Sequence, residues 1–509
     1  MTTFVVVAAG RGSRLGRVGD ELHKALIPIA GRAVLSRQFD LAPLGARFVV
    51  VTGYRADQVR DYITLAHPDL DVTFVHDDGW GAGPGQSLLA AADVVPQEDD
   101  VVWTACDTLW EPDDALWESE NSWLGVAPIP AGTPAARWCR AVPTDDGRFV
   151  ARIDDKTPNV APRSLASVAC GYVIADDLEL FWTGLAHADR LGGELQFSGG
   201  LDALLAAGRP LELRRVRWLD VGDERAYRTA LATFGSYDPV KPGQATYVLP
   251  DTQRVVKFHA NPDKLTRRVE RAKQFADGVV PRFVEPSTPN FLAYKYVLGL
   301  NGYQVFERYG PANVTLPIIR WWSTYFWDRR VDVQRPANWS DTVMRFYRDK
   351  TFRRVMALPQ ELQDVALDAV TRVDWHALVE GAVPGTFHGD MTYANVLFPT
   401  REDHLVALDW REDFAGDLHV GDLRYDLAKL LGGTVFNWEN ASRGNFEHWR
   451  YGPVEADVIR DFATSSLQLD ARQLEQLGAL CLLNSAPLHA APMDEILVAR
   501  GARWLGQVT

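Results

Sequence analysis

Residues 4–16 read Phe-Val-Val-Val-Ala-Ala-Gly-Arg-Gly-Ser-Arg-Leu-Gly, an apolar run that leads directly into glycines. The run predicts a buried strand, and glycines after it let the backbone turn tightly and present N–H groups to phosphate oxygens. A Walker loop would need Gly-Lys-Ser/Thr, and a dinucleotide fingerprint would need a small residue at Leu15, so the segment has neither motif. The predicted phosphate-binding residues are Ala8, Ala9, Gly10, Gly12 and, as a fixed cation, Arg14.

Further along, short β-branched runs alternate with helical patterns as far as about residue 230. This alternation predicts an α/β fold whose mostly parallel sheet is covered on both faces. The binding site is then expected at the carboxyl ends of the strands, where loops lead into helices. The predicted strands are Phe4–Val7, Phe48–Thr52, Val72–Val75 and Val101–Thr104, and the predicted helices include Ala33–Leu41 and Ala56–Leu65.

Two aspartates follow later strands of this region. Asp107 ends Thr-Ala-Cys-Asp, and Asp220 lies in Trp-Leu-Asp-Val-Gly. Two carboxylates that converge on one Mg²⁺ can hold a nucleoside triphosphate so that its α-phosphate meets an incoming phosphate in line. Lys24 supplies a second cation for the triphosphate, and Lys156 can neutralise the phosphate of the acceptor. Asp107 and Asp220 are therefore predicted metal ligands.

These motifs resemble the sugar-phosphate and choline-phosphate nucleotidyltransferases over roughly residues 3 to 232. The resemblance implies a Rossmann-like, GT-A-type domain, with Gly85, Gln86 and Ser87 near the nucleobase and Glu194 in the acceptor pocket. His23 departs from the family, which usually has proline before the lysine. A glycosyltransferase reading is weaker, because such enzymes usually carry Asp-x-Asp and this chain has Ala105-Cys-Asp107.

A turn-rich stretch at residues 234–243 marks the predicted domain boundary, which gives domains 1–235 and 243–509. Beyond it, Ala245–Leu249 and Arg254–Phe258 predict a hairpin around Pro250-Asp251. The rest of the chain is predicted to be mainly helical.

A second set of polar motifs lies in the C-terminal half, at His388-Gly-Asp-Met-Thr-Tyr-Ala-Asn395 and Val406-Ala-Leu-Asp409. Phosphoryl transfer from ATP needs a carboxylate to orient the attacking hydroxyl and oxygen ligands for Mg²⁺. Asp390 fits the first role, and Asn395 and Asp409 fit the second. Upstream, Lys257 is predicted to contact the α- and β-phosphates, with Glu270 of the following helix as its partner.

This half resembles the aminoglycoside phosphotransferase and choline kinase superfamily over about residues 243 to 500. The resemblance implies an α+β protein-kinase-like fold, ATP as donor, and a loop-shaping role for His388. The later segment Gly421-Asp-Leu-Arg-Tyr-Asp426-Leu-Ala-Lys429 resembles a support segment of that superfamily. The residues after Pro242 lack the usual glycine density of the ATP-covering loop.

A kinase makes the phosphate ester that a nucleotidyltransferase consumes, so the two halves suggest consecutive steps. Choline, ethanolamine or a related amino alcohol or polyol is the expected acceptor, with CTP as second nucleotide and a cell-envelope or capsule polymer as destination. Tryptophans such as Trp321, Trp322 and Trp327 could bind a quaternary ammonium group, and Glu412 and Asp413 could neutralise it. A sugar kinase joined to a sugar-1-phosphate nucleotidyltransferase remains open, as does a chain with one catalytic half and one ligand-binding or assembly half.

Composition narrows the class of protein further. The 509 residues exceed what one core usually organises, and the net charge of −14 argues against nucleic acid as a partner. Four scattered cysteines indicate neither a zinc site nor a disulfide framework. With no signal peptide pattern and no long apolar run, we expect a cytoplasmic protein without a membrane partner. A homo-oligomer is left open.

Overall fold

The chain divides into two units, Met1–Ala260 and Asn261–Thr509. A computed structural model describes residues 1–111, 117, 119–158, 160–235, 243–284, 287–310 and 314–509. Most of the turn-rich stretch predicted at residues 234–243 thus lies outside the described residues. The domain bounds 1–235 and 243–509 stay a prediction, because compactness alone does not decide with which domain the hairpin at 244–259 folds.

The first unit has fifteen strands among its described residues: β1 (Thr2–Ala8), β2 (Pro28–Ile29), β3 (Arg32–Ala33), β4 (Arg47–Thr52), β5 (Val72–His76), β6 (Asp100–Ala105), β7 (Thr108–Glu111), β8 (Ser122–Ala127), β9 (Cys139–Pro143), β10 (Val150–Asp155), β11 (Leu165–Val173), β12 (Leu211–Arg215), β13 (Arg217–Asp220), β14 (Gln244–Leu249) and β15 (Arg254–His259). Its central sheet has the strand order β10-β9-β11-β6-β1-β4-β5, and β8 joins β11 to β12. Strands β6, β1, β4 and β5 are parallel, whereas β11 runs antiparallel to β6.

Helices of the first unit cover this sheet. One core packs Val5, Val7 and Trp103 of the sheet with helical residues such as Phe181 and Leu201. The strands and helices predicted from β-branched runs and helical periodicity are confirmed, with ends that differ by at most two residues. The helices are α1 (Val34–Phe39), α2 (Ala56–Ala66), α3 (Pro84–Leu89), α4 (Ala175–His187), α5 (Ser198–Ala206) and α6 (Glu224–Thr233).

The predicted hairpin is confirmed as β14 and β15, and it contacts the rest of the first unit. The buried hydroxyl of Tyr247 donates to the carbonyl of Leu26 at 2.6 Å, and its ring lies 4.6 Å from that of Tyr62. Arg254 donates to the carbonyl of Leu65 at 2.8 Å. The hairpin is therefore fixed against α2 and the loop before β2.

The second unit is mainly helical, as predicted, with short strand pairs. β18, β20 and β21 form one small sheet, and β19 pairs with β22. Its elements are α7 (Pro262–Ala272), β16 (Phe283–Val284), β17 (Phe291–Lys295), β18 (Gly299–Asn301), α8 (Gly302–Tyr309), α9 (Thr315–Trp322), α10 (Trp339–Met344), α11 (Lys350–Val355), α12 (Gln360–Val370), α13 (Trp375–Glu380), β19 (Pro384–Gly385), β20 (Val396–Pro399), β21 (Val406–Ala407), β22 (Gly421–Asp422), α14 (Arg424–Val435), α15 (Trp438–Ser442), α16 (Gly452–Asp461), α17 (Ala471–Ser485) and α18 (Met493–Val508).

A buried ion pair joins the start of α14 to its surroundings. Arg424 donates to Oδ2 of Asp422 from Nε at 3.0 Å and from Nη2 at 2.7 Å, and to Oδ1 from Nε at 3.2 Å. Both side chains are almost fully buried. The hydroxyl of Tyr347 also donates to Asp422 at 2.7 Å. Among the helices of the described residues, none is long and apolar enough to cross a membrane.

Replacing Arg424 with Met should lower the free energy of unfolding by about 3–5 kcal/mol, because Asp422 would remain buried without its cation. Denaturant titration of the full chain measures the change. Arg372→Met is the matched control, since Arg372 pairs with Asp368 on the exposed face of α12 and its end, where an ion pair contributes about 0.5 kcal/mol or less. Equal losses in the two variants would contradict the expectation.

Candidate functional site

The glycine loop and Asp107 meet at one edge of the central sheet. β1 and β6 are parallel, with Val7 opposite Ala105, so the two strands end side by side. The amide of Cys106 donates to the carbonyl of Val7 at 3.2 Å and continues the pairing past the strand end. The residues after Ala8 and the carboxylate of Asp107 are thus neighbours, as the sequence predicts.

Lys24 is held against this edge by an ion pair. Its Nζ lies 3.0 Å from Oδ2 of Asp107, and both side chains are mostly buried. Burial opposes the charge of Lys24, but the Asp107 carboxylate outweighs it and raises the pKa of Lys24 above its ordinary value. Burial likewise opposes the charge of Asp107, yet Lys24 holds the pKa of that carboxyl below its usual range. Both groups are therefore charged at neutral pH.

Asp220 reaches the same place from the far end of the unit. β13 pairs with β7 so that Asp220 lies opposite Thr108, and the amide of Val221 donates to the carbonyl of Asp107 at 3.0 Å. A methyl group on Gly222 would lie 3.0 Å from Oδ1 of Asp220 and 3.4 Å from Oδ2 of Asp107. The same point is 3.6 Å from the guanidinium of Arg14. The two predicted metal ligands and one predicted phosphate ligand thus surround a single position.

The carboxylates suit a magnesium ion that arrives with a nucleotide. Mg²⁺ is commonly held by one or two carboxylates, with substrate phosphates and water completing its shell. Among the described residues, no group of three or more His, Cys, Asp or Glu side chains could hold a metal by itself. Burial, together with the nearby Asp107, raises the pKa of Asp220 above its ordinary value.

His23, where the resemblance would place proline, keeps the geometry of the Lys24 loop. Its φ of −61° is one that proline also adopts, and its Nδ1 accepts from the amide of Ala25 at 3.2 Å. Its own amide donates to Gln58 at 2.9 Å, a bond that proline could not make. Burial lowers the pKa of His23 to about 3, so the ring is neutral.

The predicted nucleobase segment lies at the start of α3. Gly85 packs so closely that an added Cβ would lie 2.7 Å from the backbone of Gln196. Ser87 is buried and donates to Asp77 at 2.6 Å, and Gln86 accepts from Arg190 at 2.9 Å. The Asp77 partner of Ser87 was not predicted, since nothing in the sequence links the two positions.

Lys156 and Glu194, predicted separately for the acceptor side, form an ion pair. Nζ of Lys156 lies 2.9 Å from Oε2 of Glu194, and Gln196 donates to the same oxygen at 3.1 Å. The Lys156 hydrogen bond holds the pKa of Glu194 below its usual value. Both side chains are exposed enough to exchange this contact for one with a ligand.

Arg137 is a residue of this site that sequence reasoning missed. Its guanidinium lies 2.7 Å from Asp223 and 3.5 Å from Asp220. Asp223 in turn caps α6 by accepting from the amide of Ala226 at 2.9 Å. A lone arginine before β9 carries no motif, so only the tertiary structure could identify it.

The second unit brings Asp390 and Asn395 together as predicted. The amide group of Asn395 donates to the carbonyl of Asp390 at 2.8 Å and to its carboxylate at 3.1 Å. The other carboxylate oxygen lies 2.7 Å from Nζ of Lys429 on α14. Lys429 closed the predicted support segment, but its pairing with Asp390 was not foreseen.

Two backbone hydrogen bonds join the Asp409 segment to the Asp390 loop. The amide of Leu408 donates to the carbonyl of Asn395 at 2.7 Å, and the amide of Arg411 donates to the carbonyl of His388 at 2.9 Å. Asp409 itself has a φ of 57°, a left-handed conformation that is uncommon for aspartate. Asp390 and Asn395 therefore lie on one loop, Asp409 lies on a second, and backbone hydrogen bonds join the two loops.

Asp426 fixes the Asp390 loop through hydrogen bonds to its backbone. Its carboxylate accepts from the amides of His388 and Gly389, at 2.8 and 2.6 Å, and from the indole of Trp322 at 3.1 Å. Burial raises its pKa to about 6, although these donors oppose the rise. Burial lowers the pKa of His388 to about 3, and its Nδ1 accepts from the amide of Asp390, which fits a shaping role rather than that of a base.

The lysine and glutamate predicted to contact ATP lie on β15 and α7. Lys257 is buried in β15. Glu270 pairs with Lys273, the residue directly after α7, at 2.8 Å. The next residue, the buried Arg271, donates to the carbonyls of Phe387 and Arg411 and so fixes both loops, which the sequence did not reveal. The pairing of Lys257 with Glu270 stays a prediction.

The features expected to bind a cationic acceptor have other roles. Trp321, Trp322 and Trp327 are core residues, each less than one-tenth exposed. Glu412 lies 3.8 Å from Lys264 and 3.9 Å from Arg268, while Asp413 pairs with Arg267 at 2.8 Å. These carboxylates are already balanced by cations of α7.

Comparison with known proteins identifies the class of the first unit. Residues 4–125 match the family described as the MobA-like NTP transferase domain. This range includes the glycine loop, Lys24, residues 85–87 and Asp107. The first unit therefore contains a MobA-like NTP transferase domain.

Individual relatives are similar over the same half. The UTP–glucose-1-phosphate uridylyltransferase AglF of Haloferax volcanii is 25% identical over 232 residues, which are 43% of this chain and 90% of that protein. The bifunctional protein GlmU of Cupriavidus pinatubonensis is 28% identical over 215 residues, 40% of this chain and 45% of that protein. The chain thus spans less than half the length of GlmU.

Solved structures of nucleotidyltransferases also align with this half. A UDP-glucose pyrophosphorylase complexed with UDP-glucose is 16% identical, with a TM-score of 0.39 over 46% of this chain and 98% of that one. A UDP-glucose pyrophosphorylase from Acinetobacter baumanii is 18% identical, with a TM-score of 0.38 over 46% and 93%.

Gly222→Ala should raise the Mg²⁺ concentration needed for half-maximal nucleotidyl transfer about 10- to 100-fold, because the added methyl would crowd both carboxylates. A Mg²⁺ titration of pyrophosphate release measures this. Gly506→Ala is the matched control, since nothing lies within 4 Å of its added Cβ. An unchanged Mg²⁺ requirement in the Gly222 variant would argue against a metal between Asp107 and Asp220.

Proposed function

We propose that the chain is a bifunctional enzyme, whose second unit phosphorylates a small hydroxyl compound and whose first unit transfers a nucleotidyl group to the resulting phosphate ester. The observation that carries the first activity is the meeting of Asp107, Asp220 and Arg14 around one position beside Lys24. It is supported by the NTP transferase domain at residues 4–125.

In the first unit each group has a role that its contacts favour. The amides after Ala8 and the side chains of Arg14 and Lys24 bind the triphosphate and neutralise its charge. Asp107 and Asp220 would hold Mg²⁺, and the bound ion would supply positive charge to the α-phosphate and the pyrophosphate leaving group. Lys156 orients the phosphate of the acceptor, and Glu194 binds acceptor hydroxyls. The acceptor phosphate oxygen then meets the α-phosphorus in line.

The kinase activity of the second unit rests on Asp390. Its carboxylate is fixed by Asn395 and Lys429, and its loop is joined to the Asp409 segment by backbone hydrogen bonds. Asp390 can orient a hydroxyl and accept its proton, while Asn395 and Asp409 would hold Mg²⁺ on ATP. A protein-kinase-like fold for this unit is part of the proposal.

A sugar phosphate is the favoured acceptor of the nucleotidyl step, because AglF is a glucose-1-phosphate uridylyltransferase and matches nearly over its whole length. Phosphocholine-like acceptors with CTP are the second candidate, from the resemblance of the sequence motifs. A screen of all four NTPs against glucose 1-phosphate, N-acetylglucosamine 1-phosphate and phosphocholine, read by mass spectrometry, separates the two candidates.

Asp107→Asn and Asp390→Asn should each abolish a different half-reaction. We expect nucleotidyl transfer to fall about 100-fold or more in the first variant with phosphorylation retained. Phosphorylation should fall about 10²- to 10⁴-fold in the second, with nucleotidyl transfer from supplied phosphate ester retained. Pyrophosphate release and ADP release are the two readouts.

Asp364→Asn, on the exposed face of α12, is the control and should retain both activities. Loss of both activities in either site variant, with folding intact by circular dichroism, would contradict two independent sites. Retention of phosphorylation in Asp390→Asn would remove Asp390 from the proposed kinase site, and a full chain that phosphorylates none of the acceptors offered would remove the kinase half of the proposal.

A further inference from the structure

Cations gather beside Asp390 in the second unit. Lys429 touches Asp390 directly, and Tyr425 lies one turn earlier on the same helix. Nζ of Lys350, the first residue of α11, lies 5.1 Å from the centre of the Tyr425 ring. Arg411 follows Asp409 by two residues and is bonded through its amide to His388 of the Asp390 loop. Three separate elements thus bring positive charge to one place.

Lys350 and Arg411 share an aromatic ring. Nζ of Lys350 lies 3.5 Å from the centre of the Phe346 ring, and Cζ of Arg411 lies 5.1 Å from the same centre. An aromatic face attracts a cation through its π-electrons but carries no negative charge that could form an ion pair. Two cations on one ring also repel each other.

Lys350 has no anion of its own. Among the described residues, no carboxylate lies within ion-pairing distance of its Nζ, although the side chain is half-buried. Burial lowers the pKa of the Lys350 ammonium, and the nearby cations, Arg411 first among them, lower it further. A lysine in such surroundings is destabilised until an anion arrives.

The carboxylates nearest in the sequence do not fill this role. Glu412 and Asp413 pair with cations of α7, as described above, and Asp390 is shared by Lys429 and Asn395. Asp422, in the same segment as Tyr425, is occupied by Arg424. Burial opposes the charge of Arg411, but Tyr425, Glu412, Asp390 and Asp413 outweigh it and raise the pKa of Arg411. Lys350 is therefore the cation of this group for which the described residues supply no ion-pair partner.

We propose, on the basis of the kinase reaction above, that the hydroxyl compound phosphorylated by the second unit is anionic, and that Lys350 and Arg411 bind its carboxylate or phosphate. This acceptor class differs from the choline-like and amino-alcohol acceptors that the sequence favours. A cationic acceptor would have to approach Lys350, Arg411 and Lys429, which costs free energy at short distance.

The reaction balances without further reactants. The acceptor hydroxyl oxygen forms a bond to the γ-phosphorus of ATP, and the bond from that phosphorus to the β,γ-bridging oxygen breaks to release ADP. The hydroxyl proton passes to the carboxylate of Asp390 and then to solvent. The product carries its original anionic group and a new phosphate ester, which is the chemical group that the first unit consumes.

The test compares acceptors of similar size and different charge. The full chain is supplied with ATP, Mg²⁺ and one acceptor at a time. The first set is glucuronate, glucose and glucosamine, the second is glycerate, glycerol and ethanolamine, and choline and glucose 6-phosphate are two further acceptors. ADP release with increasing acceptor gives KM and kcat. The expected result is a kcat/KM for the carboxylate or phosphate member that is at least about tenfold above those of its neutral and cationic counterparts. Glucuronate and glucose 6-phosphate distinguish a carboxylate from a phosphate ligand.

Lys350→Met removes the charge and keeps the length of the side chain. With the preferred acid, KM should rise about 10- to 100-fold while kcat and the KM for ATP stay within about twofold, and Lys350→Arg should restore most of the loss. Arg353→Gln, an exposed cation on the same helix, is the matched control and should change nothing. A general structural defect would instead lower kcat for every acceptor.

Each other outcome has a definite meaning. Preference for choline, ethanolamine or glucosamine overturns the anionic acceptor and leaves the kinase proposal standing. A rise in the KM for ATP alone in Lys350→Met assigns the cations to the donor phosphates and also overturns it. If no compound is phosphorylated, the kinase proposal fails, and calorimetry then decides the anion site. If the full chain binds glucuronate or glycerate and Lys350→Met abolishes that binding, the anion site stands. If the full chain binds neither compound, the anion site is overturned.

Discussion

The parallel pairing of β1 with β6 is the constraint on which the first site depends. Because parallel strands end at the same edge of a sheet, the glycine loop after Ala8 and the carboxylate of Asp107 are forced together. A register shift of one residue would turn Asp107 to the opposite face. Lys24 then balances the carboxylate, and the β7–β13 ladder brings Asp220 to it from more than one hundred residues away.

The second unit positions its Asp390 loop without a wide β-sheet. A buried carboxylate, that of Asp426, fixes the loop in place of strand pairing. Asp426 accepts two successive loop amides and an indole N–H, and Arg271 closes the loop from the other side through carbonyls. Buried charges with several fixed partners of this kind are costly to leave unpaired, so the loop has one favoured arrangement.

The two sites differ in how their charges are balanced. In the first, each carboxylate has a cation nearby, and Arg137 links Asp220 to Asp223. In the second, Lys429 pairs with Asp390, whereas Lys350 lies against an aromatic ring and has no carboxylate partner among the described residues. The net charge of −14 predicts neither arrangement, because local fields depend on which residues the fold brings together rather than on the sum.

Sequence alone determined β1, β4, β5, β6, α1 and α2 of the first unit, the β14–β15 hairpin, and the meeting of Asp107 with Asp220 and of Asp390 with Asn395. These follow from local periodicity and from motifs at strand ends, where one short segment carries the whole signal. Only the tertiary structure decided that Trp322 is a core residue bonded to Asp426, that Glu412 and Asp413 are balanced by α7, and that Arg137, Arg271, Lys350 and Lys429 join the sites. The physical reason is that an ion pair or a packing contact depends on residues distant in the chain, and a single arginine or lysine looks the same in sequence whether it faces solvent or a carboxylate.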